Sequence, residues 1–174
     1  MDVIGLAVIS LDGCLTRHDE DGVSFSSPED QTHFRAAVRA CDAAVMGRRT
    51  FETVRESILA SLSSSPRRIV LTRSPQRYAE YETPGALEFT DESPSLLVTR
   101  LAGQGIDRLA LLGGTEVYDL FASAGLITEW QLTFEPRMFG QGRRLLGKST
   151  DQRYTLVETR ALNENTLLLR YRPR

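Results

Sequence analysis

The stretch AAVMGRRT, residues 43–50, runs from four small or apolar residues directly into a glycine, two arginines and a threonine. The apolar half predicts a short buried β-strand, and the polar half predicts the start of a helix. Ligands of open α/β sheets bind where strands end and helices begin, because free backbone N–H groups point outward there. We therefore expect residues 47–50 to belong to a ligand-binding site on an α/β sheet.

Two further strand ends carry residues of the same kind. Residues 68–72 predict a strand that continues into Thr72-Arg73-Ser74, and residues 109–112 predict one that enters Gly113-Gly114-Thr115-Glu116. Glycine permits close approach of a ligand to the backbone and arginine supplies a fixed positive charge, so both suit a phosphate group. Each segment alone is also typical of a helix cap or a tight turn. Three of them in chain order predict the binding of one dinucleotide.

The rest of the chain completes an alternation of strands and helices. The predicted strands cover residues 3–10, 43–46, 68–72, 87–89, 109–112, 129–135, 155–161 and 166–172. The predicted helices follow Ser27-Pro28, Gly47, Ser93-Pro94 and Gly113-Gly114. This order predicts one α/β domain, residues 1–174, with a mainly parallel twisted sheet, helices on both faces and an antiparallel C-terminal hairpin. Residues 11–27 and 76–86 lack a clear periodicity and predict loops, and the serine-rich residues 60–66 predict a surface turn.

Composition argues against several classes of protein. A formal net charge of −2 gives no general attraction for nucleic acid or an anionic membrane. Two cysteines and two histidines argue against a disulfide framework, a zinc site and a Ser-His-Asp triad, so no metal is expected. No apolar run approaches the ~20 residues that span a bilayer. The first residues lack the pattern of a signal peptide, and a cytoplasmic location is expected.

Several segments resemble known reductases. Residues 45–52, VMGRRTFE, and residues 112–118, LGGTEVY, resemble the two hallmark motifs of dihydrofolate reductases. Four others resemble the reductase domain of the riboflavin-biosynthesis deaminase-reductase: SLDG (10–13), SPED (27–30), LITE (126–129) and EPRMFGQG (135–142). The resemblance implies a dihydrofolate-reductase-like three-layer fold and NADPH as the cofactor. The deaminase domain with its zinc-ligand signature is absent from the chain.

The same resemblance implies which residues contact the cofactor. Arg48 and residues 72–74 would bind the 2′-phosphate of NADPH, residues 49–50 and 113–116 would bind the diphosphate, and the backbone of Ala7 would flank the nicotinamide. The full set of expected cofactor contacts is Ala7, Gly47, Arg48, Arg49, Thr50, Leu71, Thr72, Arg73, Ser74, Gly113, Gly114, Thr115, Glu116, Val117 and Tyr118. Tyr118 is equally typical of a helical core residue.

Asp30 is the expected catalytic residue and, with Phe34, the expected substrate contact. Asp30 falls in the first turn of the helix after Ser27. The resemblance implies that its carboxyl group binds an amino-pyrimidine edge and favours the protonated, more electrophilic substrate. Partial burial would raise its pKa toward a useful range. The alternative is a carboxylate that only interacts with the helix dipole, and Phe34 one turn later is alternatively a core residue.

These features favour a reductase of the 5-amino-6-(5-phosphoribosylamino)uracil reductase type, which acts on a small-molecule substrate. Leu112 stands where riboflavin-pathway reductases commonly carry an acidic residue, so a dihydrofolate or pterin reductase is the alternative. An alternative of another class is a non-catalytic NADPH-binding protein. The strand at residues 131–135 and the hairpin predict an exposed sheet edge, and relatives of the riboflavin type pair as dimers, so a homodimer is expected.

Overall fold

The computed structural model describes residues 1–63 and 66–174, so Ser64 and Ser65 of the predicted turn lie outside the described residues. Its strands are β1 (Asp2–Ser10), β2 (Ala43–Gly47), β3 (Arg67–Leu71), β4 (Leu87–Thr90), β5 (Arg108–Leu111), β6 (Glu129–Glu135), β7 (Tyr154–Ala161) and β8 (Leu167–Pro173). Its α-helices are α1 (Pro28–Arg39), α2 (Arg48–Ala60), α3 (Pro94–Gly103) and α4 (Thr115–Ser123). No helix in the described parts of the chain is both long and apolar enough to span a bilayer.

The strands form one sheet in the order β4-β3-β2-β5-β1-β6-β8-β7. The six strands from β4 to β6 run parallel to their neighbours, whereas β8 is antiparallel to both β6 and β7. This arrangement confirms the mainly parallel sheet with an antiparallel C-terminal hairpin. The predicted sheet edge is confirmed for the hairpin, whose outer strand is β7. It is wrong for the strand at residues 131–135, because β8 pairs with β6 from Trp130 to Phe134.

Successive residues of the central strands pack against helices on opposite faces of the sheet. Val3 of β1 lies in a buried cluster with Leu101 of α3. Ile4, the next residue, packs with Val38 of α1, and Phe51 of α2 packs on the same face against β2 and β3. Both faces of the central strands are therefore buried, which explains their continuous apolar runs and confirms helices on both faces.

Residues 76–86 include regular structure that the sequence did not indicate. A 3₁₀ helix covers Pro75–Tyr81, and its Tyr78 and Tyr81 rings pack edge-on against Phe51. The segment has no helical periodicity of its own, so its conformation depends on contacts with α2. The prediction of an irregular loop was wrong for these residues.

Candidate active site

A cleft of about 1580 Å³ opens where the parallel strands end. This volume exceeds the ~300–1,000 Å³ typical of pockets for one small ligand. Every residue expected to contact the cofactor lines the cleft except Gly113, and so do Asp30 and Phe34. The described residues contain no group of three or more His, Cys, Asp or Glu side chains that is suited to hold a metal ion. The fold thus brings the predicted residues of separate segments to one cleft.

The glycine segments at the ends of β2 and β5 lie side by side. The Gly47 N–H donates a hydrogen bond to the Gly113 carbonyl at 2.8 Å. Gly113 has a φ of +80°, and a Cβ at this position would lie 2.8 Å from the Tyr118 ring. The Gly113–Gly114 peptide bond is cis. A side chain at Gly113 is therefore excluded both by the backbone conformation and by the neighbouring ring.

The two helices that begin at these glycines differ from the other two in how their first turns are capped. Ser27 accepts a hydrogen bond from the first turn of α1, and Ser93 does the same for α3. The capping residues of α2 and α4 are Gly47 and Gly114, and neither helix has a side-chain cap. The first N–H groups of α2 and α4 are consequently available to an anion at the carboxyl ends of the strands.

Positive charge gathers at the end of β3, where the sequence predicts the 2′-phosphate contact. Arg48 is already engaged, since its Nη1 atom donates to both carboxylate oxygens of Glu52 at 2.9 and 3.1 Å. Arg73 is exposed and forms no ion pair with another described residue. Arg77 also lines the cleft and is exposed, although the sequence analysis did not single it out. Arg73 and Arg77 are thus two cations at this end of the cleft that form no ion pair with another described residue.

Tyr118 connects α4 to β1 beside the position expected for the nicotinamide. Its side chain is buried, its hydroxyl donates to the Leu6 carbonyl at 2.5 Å, and burial raises its pKa. Strand β5 pairs with β1 only as far as Gly5, so Leu6 and Ala7 lie beyond the end of β5. Tyr118 is therefore a core residue that also forms part of the wall of the cleft.

Asp30 is buried in the first turn of α1, with 4% of its surface exposed. Ser27 caps the helix by accepting a hydrogen bond from the Asp30 N–H at 3.2 Å, and Pro28 occupies the first helical position. Desolvation raises the pKa of Asp30, and the charge of Glu135 acts in the same direction. Hydrogen bonds from Ser26 and Thr133 act to lower it but do not offset burial. Burial at the cleft thus favours a carboxyl group that retains its proton to higher pH than an ordinary aspartate.

The residues that hold Asp30 were missed by sequence reasoning. Ser26 donates its hydroxyl to Asp30 Oδ2 at 2.5 Å, and Thr133 of β6 forms a second hydrogen bond with the same side chain. Thr133 lies beside Val8 of β1 in the sheet register, so it points to the face covered by α1. The alternation along residues 129–135 showed that β6 has two different faces. It did not show which face meets α1.

One wall of the cleft consists of the loops that follow β1 and β6. Asp12 accepts hydrogen bonds from the backbone N–H groups of Phe139 and Gly140, and the latter bond is 2.7 Å long. The hydrogen bond from Ser10 and that from Gly140 lower the pKa of Asp12 to about 2. At the far end of the second loop, Asp119 of α4 accepts a hydrogen bond from Gly147 at 3.0 Å. The two loops are thus fixed to each other and to α4.

Arg68 of β3 is a half-buried cation within the cleft. Its guanidinium donates to the Pro66 carbonyl, and it has no acidic partner among the described residues. Burial lowers its pKa, because no nearby negative charge compensates the loss of water. Val38 of α1 and Ile58 of α2 also line the cleft. This region is therefore suited to an anionic group of a ligand.

One sequence family matches the chain over nearly its whole length. The model of the RibD C-terminal domain matches residues 2–168. No curated protein sequence matches the chain.

Solved structures of similar fold include proteins of related description. A protein from Shewanella described as a riboflavin biosynthesis protein has a TM-score of 0.81 at 22% identity, covering 100% of this chain and 99% of that one. A pyrimidine reductase-like protein from Corynebacterium diphtheriae has a TM-score of 0.79 at 16% identity, with coverages of 99% and 92%. The deaminase/5-amino-6-(5-phosphoribosylamino)uracil reductase of Thermotoga maritima has a TM-score of 0.81 at 18% identity. The aligned region covers 99% of this chain and 56% of that protein. At these identities the likeness establishes the fold alone.

Proposed function

The chain belongs to the RibD C-terminal domain family, and we propose that it is a single-domain, cytoplasmic, NADPH-dependent reductase of the 5-amino-6-(5-phosphoribosylamino)uracil reductase type. One observation carries the proposal. Two glycine-capped helix starts and a buried carboxyl group, Asp30, line the same cleft. The helix starts suit the diphosphate of a dinucleotide, and the carboxyl group suits the proton that a reduction requires.

The residues of the cleft fit NADPH at three places. The N–H groups at the starts of α2 and α4, with Arg49 and Thr50, would bind the diphosphate. Arg73 would bind the 2′-phosphate, helped by the hydroxyls of Thr72 and Ser74 and by Arg48 if it leaves Glu52. The backbone near Ala7 would place the nicotinamide at the end of β1. When bound there, NADPH supplies the hydride for the reduction.

The chain itself would supply the proton and the substrate contacts. Asp30 would donate a hydrogen bond to the aminopyrimidine and hold the proton that the ribosyl group takes up as it is reduced to a ribityl group. Phe34, half-buried one turn later on α1, would pack against the heterocycle. Ser26 and Thr133 would keep the Asp30 carboxyl group oriented toward the cleft.

The substrate class is argued from Arg68. The Arg68 guanidinium is half-buried and has no acidic partner in the described residues. A ligand with a negative charge would stabilise it by supplying the missing counter-ion. The phosphate of a phosphoribosylaminopyrimidine has this charge. The alternative substrate, a dihydrofolate or pterin, is favoured by the carboxyl group at Asp30 and by Leu112 before the glycine pair.

Calorimetric titration with NADPH and with NADH tests the cofactor assignment. We expect the wild-type protein to bind NADPH more tightly than NADH, because Arg73 has no competing ion pair within the described residues. The variant Arg73→Ala is expected to lose about 10-fold or more in NADPH affinity and little in NADH affinity, since a hydrogen bond to a charged group contributes about 1.5–3 kcal/mol. Arg153→Ala removes an exposed arginine that does not line the cleft and serves as the control.

Equal affinity for the two dinucleotides, or no binding of either at tens of micromolar, would contradict the cofactor assignment. Turnover then separates the candidate functions. NADPH oxidation with the phosphoribosylaminopyrimidine supports the proposal, and oxidation only with dihydrofolate favours the alternative. Binding of NADPH without turnover of any of these substrates would indicate the non-catalytic protein.

A homodimer is proposed from the outer strand of the hairpin. Nearly all of β7 is exposed, and it presents Leu156 and Val157 to solvent, 50% and 47% exposed. An uncovered edge strand with apolar side chains readily pairs with another chain. Sedimentation at micromolar concentration is expected to show a dimer, which Val157→Lys weakens. A monomer for the wild-type protein under these conditions would overturn this expectation.

A further inference from the structure

Glu135, at the end of β6, is a buried carboxylate that the proposed chemistry does not use. It is 3% exposed. Its Oε1 atom accepts a hydrogen bond from the Ser27 N–H at 2.8 Å, and its Oε2 atom accepts one from the Thr166 hydroxyl at 3.0 Å. No arginine, lysine or histidine among the described residues pairs with it. Burial of a carboxylate that has no positively charged partner costs free energy, so packing alone does not account for its position.

Glu135 and Asp30 both form hydrogen bonds with the same segment, Ser26-Ser27. Ser27, whose N–H donates to Glu135, caps α1 by accepting a hydrogen bond from the Asp30 N–H. Ser26, the preceding residue, donates its hydroxyl to Asp30. Thr133, two residues before Glu135 and on the same face of β6, also hydrogen-bonds to Asp30. Glu135 and Asp30 are thus connected in two ways, through the dipeptide Ser26-Ser27 and through strand β6.

The charges around Asp30 make Glu135 its main negatively charged neighbour. The charge of Glu135 raises the pKa of Asp30, in the same direction as burial. His33, one turn later on α1, acts in the opposite direction when it is charged. The Nδ1 atom of His33 lies 3.1 Å from the Nη2 atom of Arg160 of β7, and burial together with Arg160 lowers the pKa of His33. His33 is therefore held toward its neutral form, and the effect of Glu135 is less opposed.

We propose that Glu135, fixed at the start of α1 by the hydrogen bond from the Ser27 N–H, is a positioning residue that acts on the Asp30 carboxyl group through its negative charge. This inference rests on the proposed function, in which Asp30 handles the proton of the reduction. Glu135 does not line the cleft, so in the proposed function it would act on the reaction only through Asp30. A carboxylate that served only to anchor the helix start would act through its hydrogen bonds and not through its charge.

The variant Glu135→Gln separates charge from hydrogen bonding. A glutamine oxygen still accepts a hydrogen bond from Ser27, and its amide group still pairs with the Thr166 hydroxyl, so only the charge is lost. Titration of the Asp30 carboxyl carbon by NMR, assigned with Asp30→Asn, is expected to give a lower midpoint in Glu135→Gln than in wild type. Glu164→Gln, an exposed glutamate in the hairpin turn, is the matched control and is expected to leave the midpoint unchanged.

Kinetics supply a second measurement. In Glu135→Gln, the rate of reduction on the alkaline side of the pH profile is expected to fall by about 3- to 10-fold, while the rate at low pH stays close to wild type. Glu135→Asp keeps the charge but shortens the side chain, and it is expected to retain most of the wild-type profile.

The two measurements distinguish the inference from the function on which it rests. An unchanged Asp30 midpoint in Glu135→Gln overturns the inference, whatever the rates. An Asp30 midpoint in Glu135→Asp that moves as far as in Glu135→Gln also overturns it, because the hydrogen bonds and not the charge would then be responsible. A shifted midpoint in Glu135→Gln alone, with no turnover of any substrate by the wild-type protein, supports the role of Glu135 and contradicts the proposed function.

Discussion

Replacement of Asp30 by asparagine is expected to lower kcat/KM by about 10²- to 10⁴-fold, the range for loss of a general acid. Asp30 is buried, lines the cleft and accepts a hydrogen bond from Ser26 at 2.5 Å. Asparagine has nearly the same shape but carries no transferable proton. NADPH affinity, measured by calorimetry, is expected to change little, because the proposed dinucleotide contacts lie at the starts of α2 and α4.

The pH dependence of the reaction gives a sharper form of this prediction. Burial, assisted by Glu135, raises the pKa of Asp30, so the protonated form persists to higher pH than for an exposed aspartate. The wild-type rate is expected to fall as pH rises through this raised pKa, and Asp30→Asn is expected to lack that limb. A group whose pKa is raised by folding contributes to the free energy of unfolding. This contribution is fully present at pH values below the pKa of the unfolded state, and it is lost as pH rises through the pKa of the folded state. The Tm of wild type should therefore fall relative to that of Asp30→Asn over the same interval.

The control for Asp30 is Asp151→Asn, which alters an exposed aspartate that does not line the cleft. Its kcat/KM and pH profile should match those of the wild-type protein. If Asp30→Asn binds NADPH normally and retains wild-type kcat/KM at all pH values, Asp30 is only a helix-start carboxylate and the proposed chemistry is wrong.

Replacement of Arg68 by alanine is expected to raise KM for the phosphoribosylaminopyrimidine by about 10- to 100-fold, with a smaller change in kcat. The estimate follows from the ~1.5–3 kcal/mol of a hydrogen bond to a charged group. Arg68 is half-buried in the cleft and has no acidic partner in the described residues, so a substrate phosphate would be its main counter-ion. A contact remote from the reacting carbon stabilises the bound substrate and the transition state equally. Its loss therefore raises KM and changes kcat little.

Two comparisons test whether the effect of Arg68 depends on the charge of the substrate. Arg68→Lys retains the positive charge and is expected to recover part of the affinity, although lysine lacks the forked donor geometry of arginine. The dephosphorylated aminopyrimidine riboside should react equally poorly with wild type and with Arg68→Ala. An equal loss for both substrates in the Arg68→Ala variant would show that the arginine stabilises the fold around Pro66 instead of binding phosphate.

The fold and much of the cleft were accessible from the sequence. The alternation of apolar strands with helix starts, two marked by serine and proline and two by glycine, predicted the α/β sheet, because both signals are local in the chain. The glycine, arginine and hydroxyl residues after three strands predicted one shared site, since parallel strands end on the same side of a sheet. The structure places these segments around one cleft, and the hydrogen bond between Gly47 and Gly113 joins two of them.

Only the tertiary structure determined the contacts between residues that lie far apart in the chain. The pairing of β8 with β6 covers the strand at residues 131–135 and leaves only β7 of the hairpin as the exposed edge on that side. Contacts with Phe51 accompany the 3₁₀ helix at Pro75–Tyr81. The sequence alone determined that Asp30 stands in the first turn of a helix. Its burial against Thr133, and the position of Glu135 beside the same helix start, depend on the register between β1 and β6. Register and burial are set by packing over more than 100 residues of intervening chain, and local sequence patterns carry no information about distances of that kind.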